Sequence, residues 1–87
     1  MSKITESQRR ILEQLIFAES FDHIQMETGL SYGEIRDDLT TLMHHNMIEV
    51  FESDGGHMGR KVTHFDNDNP ASFFYRATKS GLGVLKL

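Results

Sequence analysis

The chain has 87 residues, no cysteine and a net charge of −4, with 38% hydrophobic and 25% charged residues. That is enough for one domain, residues 1–87, with a modest core, and the composition is globular rather than disordered. Disulfides and thiolate metal sites are excluded; no apolar run approaches the roughly 20 residues that a bilayer requires, and no apolar signal core follows Met1, so a cytoplasmic protein with no membrane role is expected.

Thr5-Glu6-Ser7-Gln8 reads as a capping box, in which the Thr5 hydroxyl takes an orphan amide and Gln8 reaches back. Ile11, Leu12, Leu15 and Ile16 follow as an amphipathic stripe, predicting a first helix from about Glu6 to about Ala18. Ser20 is the next N-cap candidate. Phe21, Ile24 and Met26 supply the buried side of a short helix, and Gly29 is its left-handed stop. Ser31-Tyr32-Gly33-Glu34 is a second capping box. Ile35, Leu39, Leu42 and Met43 then share one face of a longer helix reaching about His45, with Asn46 as its stop.

The period then changes from helical to two. Ile48–Glu52 and Arg60–Phe65 read as strands joined by a glycine-containing tip over Ser53–Gly59. Asp66–Pro70 is a polar turn, and Phe73–Ala77 is a third, aromatic strand. Thr78-Lys79-Ser80-Gly81 opens either a short terminal helix through Leu82, Val84 and Leu85 or an extended tail, since two glycines weaken a helix there. The fold class expected is α+β: three helices closing on one another, with a two- to three-stranded antiparallel flap and a short C-terminal tail.

Charge divides along the chain. Residues 1–59 carry four Lys or Arg against eleven acids, and residues 60–87 carry five against two, so the first part is −7 and the second +3. A polyanion should be drawn to the second part.

This order of elements resembles the winged helix-turn-helix superfamily. Phe21-Asp22-His23-Ile24 through Thr28-Gly29-Leu30-Ser31 is similar to its second helix and turn. Ile35, Leu39, Leu42 and Met47-Ile48-Glu49 are similar to the core of its third helix and the exit into the wing. Tyr75-Arg76-Ala77-Thr78-Lys79-Ser80-Gly81 resembles the "Tyr-x-Leu-Thr-x-x-Gly" ending of wings in MarR-type and PadR-type regulators, with Ala77 where Leu is usual. The long dimerisation helix of many such regulators has no counterpart. The resemblance runs from about residue 5 to 85. It implies a small DNA-binding transcriptional regulator whose third helix enters the major groove while the wing meets the backbone.

On that reading the outward face of the third helix carries the DNA-binding candidates Tyr32, Arg36, Thr40, Thr41 and His44, with Arg60 and Lys61 on the wing. Arg36 can pair with guanine, the threonines can meet bases or phosphates, and Tyr32 can bond a phosphate. The opposing signal is that Glu34, Asp37 and Asp38 give this helix a net −2. The plainer account makes them solvated acids near the positive helix N-terminus, although Asp37 can also accept from a cytosine amino group. The plainer account of Arg60 is a solubilising charge on a strand edge. His44-His45 point about 100° apart on a helix and are poor partners for one ion, so no metal and no cofactor is expected. No phosphate loop, nucleophile elbow or paired-acid cleft marks an enzyme. Phe73 and Tyr75 share a strand face and are expected to pack on the helices, leaving Phe74 partly exposed. Phe74 with Leu82, Val84, Leu85 and Leu87 is a candidate homodimer patch. The alternative function is an acidic winged-helix module of the phage-inhibitor or complex-subunit kind, which binds a protein partner instead of DNA.

Overall fold

A computed structural model describes residues 4–63 and 68–85. Helix α1 spans Glu6–Glu13, strand β1 Glu19–Ser20, helix α2 Phe21–Thr28, helix α3 Tyr32–His44, strand β2 Ile48–Asp54, strand β3 His57–Val62, strand β4 Phe73–Ala77 and helix α4 Lys79–Leu85. A single 3₁₀ turn, Pro70–Ser72, precedes β4. The protein is thus α+β, with four α-helices and one antiparallel sheet ordered β1-β4-β2-β3 among the described residues.

Local chemistry sets the helix starts. Both capping boxes form: Thr5 accepts from the Gln8 amide and Ser31 from the Glu34 amide, while the Gln8 and Glu34 side chains return the bond. Ser20 caps α2, and Gly29 closes it at φ 70°, a left-handed conformation that glycine adopts without a Cβ penalty. Ile35, Leu39 and Leu42 of α3 are fully buried against Ile11, Leu12 and Leu15, Phe21 and Ile24, and Val50 and Tyr75 of the sheet. Pairing of β2 with β4 sets Ile48, Val50, Tyr75 and Ala77 on the helix side of the sheet and Glu49, Phe51, Phe74 and Arg76 on the other.

Several boundaries differ from expectation. The sheet has four strands rather than two or three, because Glu19 and Ser20 pair with Tyr75 and Phe74 along the free edge of β4. To reach that edge the chain leaves α1 at Glu13 instead of Ala18. The Gln14 and Leu15 amides bond back three residues, tightening the exit, and the Leu15 carbonyl accepts from the Ala77 amide at 2.8 Å. Ile16 therefore falls outside the helix and is exposed. Met26 is also exposed, since Phe21, Ile24 and Thr28 make up the buried side of α2. Strand β3 begins at His57 rather than Arg60, so the tip is only Gly55-Gly56, both at positive φ. The expected strand end at His64-Phe65, Asp66-Asn67 of the polar turn and Leu87 of the tail lie outside the described residues.

Of the two forms open to the tail, the helix is the one observed. Leu85 lies in the core, with Leu82 and Val84 packed partly buried against it. Those three residues do not form the exposed patch expected with Phe74, because α4 turns them toward α1 and β4. Gly81 is what lets α4 dock. A Cβ there would stand 2.1 Å from the Met47 carbonyl oxygen, whereas one at Gly83 would meet nothing within 4 Å. Gly81→Ala should cost about 3 kcal/mol or more through this backbone clash. Gly83→Ala in the same helix should stabilise by about 0.5–1 kcal/mol. Urea unfolding of both variants measures the contrast, and equal effects would mean that α4 does not rest on Met47.

Candidate nucleic-acid interface

Tyr32, Arg36, Thr40 and His44 are spaced by four and make one stripe along α3, with Thr41 beside it. The stripe flanks the buried row Ile35, Leu39 and Leu42, with Arg36 and Thr40 half-buried and Tyr32 and His44 exposed. Tyr32 at the first turn leans its ring on Phe21 at 5.0 Å between centroids and remains partly exposed. The Thr40 and Thr41 hydroxyls donate to the carbonyls of Arg36 and Asp37, at 2.9 and 3.2 Å. This binds both donors to their own helix. His44 is exposed in the last turn.

The acids of α3 have separate roles. Asp38 is not a solvated acid: it accepts from the Ser7 hydroxyl at 2.6 Å and the Gln8 amide nitrogen at 3.3 Å, fastening α3 to α1. Gln8 thus serves the capping box and the helix contact together. Asp37 points outward and bonds the Arg36 guanidinium at 3.2 Å. Arg10 supports the turn ahead of α3 by donating to the Thr28 carbonyl at the end of α2. The Thr28 hydroxyl donates to Ile24 and accepts from the Leu30 amide.

On the hairpin, Phe51 pairs with Lys61 and Ser53 with Met58, so two steps along β2 match three along β3. The extra residue falls at Gly59-Arg60, a bulge that re-aims the side chain it carries. Arg60 is exposed and makes no ion pair among the described residues. Lys61 behaves differently. It lies on the sheet face turned from the helices, with its ammonium 3.0 Å from Glu49. The other Glu49 oxygen takes two bonds from Arg76, at 3.0 and 3.2 Å, and the Arg76 guanidinium lies 5.1 Å from the Phe51 ring centre. Lys61 is therefore a strut of the sheet, and the two adjacent cations read from the sequence do not form one patch. A groove of about 290 Å³ separates the end of α3 from the hairpin and includes Met43, Ile48, Val50 and Val62 in its lining.

Among the described residues no group of three or more His, Asp or Glu side chains could hold a metal ion, and no helix is long and apolar enough to cross a membrane. Comparisons of the chain with protein-family models, curated proteins and solved structures gave no match.

The hydrogen bond from Lys61 holds the Glu49 carboxyl below its ordinary value of 4.5, against the opposing effect of burial and with help from Arg76. A depressed carboxyl stabilises the fold above its unfolded pKa, and that stabilisation is lost as pH falls through the folded one. Glu49→Gln should cost about 1 kcal/mol at neutral pH, as suits a partly exposed ion-pair network. The difference from wild type should close as pH falls through the acid range below 4.5. Urea melts of the two proteins across that range measure it; a gap that holds or widens in acid would remove Glu49 from this role.

Proposed function

We propose that this chain is a small winged-helix protein that binds double-stranded DNA as a transcriptional regulator, with α3 in the major groove and the β2–β3 hairpin against the sugar-phosphate backbone. The observation that carries this reading is the polar stripe Tyr32, Arg36, Thr40 and His44 on a helix whose Ile35, Leu39 and Leu42 face is locked into the core. A helix held by one face presents the other at a fixed angle, as insertion into a groove about 12 Å wide requires. Two further features support it. The succession of helix, short strand, two helices joined by a glycine turn, and hairpin follows the winged-helix order. The bulge at Gly59-Arg60 frees an arginine on the wing.

Electrostatics limits how such a complex would bind. Residues 21–44 hold Asp22, Glu27, Glu34, Asp37 and Asp38 against the single cation Arg36. With Lys61 engaged by Glu49, Arg36 and Arg60 are the cations on α3 and the hairpin left for phosphate or base. Each phosphate neutralised contributes about 0.9 to the slope of log K against log salt. With Arg36 turned to a base, Arg60 alone meets phosphate and gives a slope of about −1 per chain, shallow for a DNA-binding protein. Specificity must then rest on base contacts and shape more than on charge.

The same charge distribution favours a second reading, in which the acidic α2–α3 surface docks on a basic protein and DNA is not bound. Titration of pooled random duplexes at low salt separates the two. The first reading expects measurable binding with a slope near −1. Arg60→Ala should weaken all sequences alike and lower the slope by about 1, and Arg36→Ala should relax preference at one base pair. Absence of binding at the lowest salt would sink the DNA reading and leave the acidic docking surface.

A further inference from the structure

The acid next to Arg36 has a use that its charge alone conceals. Arg36 has no carboxylate three or four residues away on α3, where helical ion pairs form; those positions are Tyr32, Gly33, Leu39 and Thr40. Its guanidinium instead turns to its immediate neighbour. Nε donates to Asp37 Oδ1 at 3.2 Å, and Nη2 lies 3.2 Å from the same oxygen as an ion pair. The pair is open to water, with side chains 41% and 73% exposed, so it adds little to folding. Asp38, one residue on, is by contrast taken up by Ser7 and Gln8.

A guanidinium has five N–H donors in a rigid plane. Asp37 engages the Nε hydrogen and sits beside Nη2, on the side of the guanidinium plane. The end-on fork, one hydrogen each of Nη1 and Nη2, is not used by Asp37. A fork of two parallel N–H groups matches the O6 and N7 acceptors that guanine shows in the major groove. The hydroxyls of Thr40 and Thr41, four and five residues on, give their hydrogens to backbone carbonyls of α3. Arg36 is therefore the one bidentate donor on this stripe, and its neighbour sets the orientation of the fork.

We propose that Asp37 is a specificity-determining residue. It holds the Arg36 guanidinium with its fork outward for a guanine, and its negative charge lowers the affinity of α3 for phosphate at every other sequence. Both effects raise the ratio of specific to non-specific binding, the first by ordering the reader before contact and the second by repulsion. The inference rests on the DNA reading above and adds to it the identity of one base and the residue that enforces it.

The test begins with selection from a random duplex pool by the wild-type chain. The enriched duplex, versions with each G·C pair changed to A·T, and unselected pool DNA are then titrated with wild type, Arg36→Ala, Asp37→Ala, Asp37→Asn and the double alanine variant. Wild type should discriminate at one guanine by about tenfold. Asp37→Ala should bind pool DNA as well as wild type or better, yet discriminate at that guanine by about threefold or less. Asp37→Asn, which keeps an acceptor oxygen and loses the charge, should fall between them. The double variant should be no less selective than Arg36→Ala, because the two residues act as one unit. Full discrimination in Asp37→Ala, or in Arg36→Ala, overturns the proposal while leaving DNA binding intact. Failure of the wild type to enrich any duplex removes the DNA reading and this proposal together. Circular dichroism melts should show all variants folded, since neither side chain is part of the core.

Discussion

Residues 46–47 and 77–81 meet at one point, and the position of α3 depends on that meeting. Asn46 takes a positive φ of 58°, which ends the helix and turns the chain. The Met47 amide then returns to the Leu42 carbonyl at 2.9 Å. Thr78 closes the junction from the other side. Its amide donates to the Met47 carbonyl at 2.9 Å, its hydroxyl donates to the Asn46 carbonyl at 2.6 Å, and the same oxygen receives the Gly81 amide at the start of α4. Gly81 lets the two backbones touch. One residue upstream of Thr78, the Ala77 amide reaches Leu15 just past α1. The exits of α1 and α3 and the entry to α4 are thus tied to the end of one strand, β4, which also pairs with both β1 and β2. If this junction slips, α3 loses its register against the sheet, and the outward stripe no longer has a fixed direction.

The same junction explains why Tyr75-Arg76-Ala77-Thr78-Lys79-Ser80-Gly81 carries a recognisable pattern. Tyr75 is fully buried and donates its hydroxyl to the Pro70 carbonyl at 2.5 Å, and burial pushes that hydroxyl's pKa up, so it stays a donor. Arg76, on the other face, reaches Glu49. Ala77 lies across from Ile48 in the core, where the space leaves room for Leu85 of α4 to enter the same cluster. Thr78 and Gly81 form the splice itself. Tyr75, Arg76, Ala77, Thr78 and Gly81 each have a packing or hydrogen-bonding reason of their own, and none of these reasons requires a ligand.

Legibility in the sequence followed the range of the interaction. Caps and stops are local, so Thr5 with Gln8, Ser31 with Glu34, and Gly29 were readable directly, as was the apolar row Ile35, Leu39 and Leu42. Strand β1 was not, because two residues have no period and Glu19-Ser20 is extended only through the edge that β4 offers. The hairpin tip is narrower than its glycines suggest, for a related reason. Gly59 looks like a turn residue but occupies the bulge, where a Cβ would press the Glu52 carbonyl at 3.1 Å. For the candidate site, the outward face of α3 was legible from helical spacing. The partners that decide what each charge does were not. Asp38 finds Ser7 and Gln8 about thirty residues earlier, and Lys61 finds Glu49 across the sheet.

Those partners change what the net charge means. A chain of −4 with an acidic helical part looks repellent to DNA when its acids are counted as equals. They are not equal. Glu49 is spent on Lys61 and Arg76, Asp38 on α1, and Glu34 on the capping box of α3. Glu49 is balanced by two cations, while Asp38 and Glu34 keep their charge and are held in place by hydrogen bonds of the scaffold. Lys61 and Arg76 are spent on Glu49 as well, so the sheet consumes charge of both signs. What remains free on α3 is the Arg36–Asp37 pair, nearly neutral as a unit and open to solvent. A surface of that kind gains little from general attraction to a polyanion and must gain from fit. The cost of the internal network is thus borne in encounter rate and non-specific affinity, while the geometry it fixes is what a base-reading helix requires.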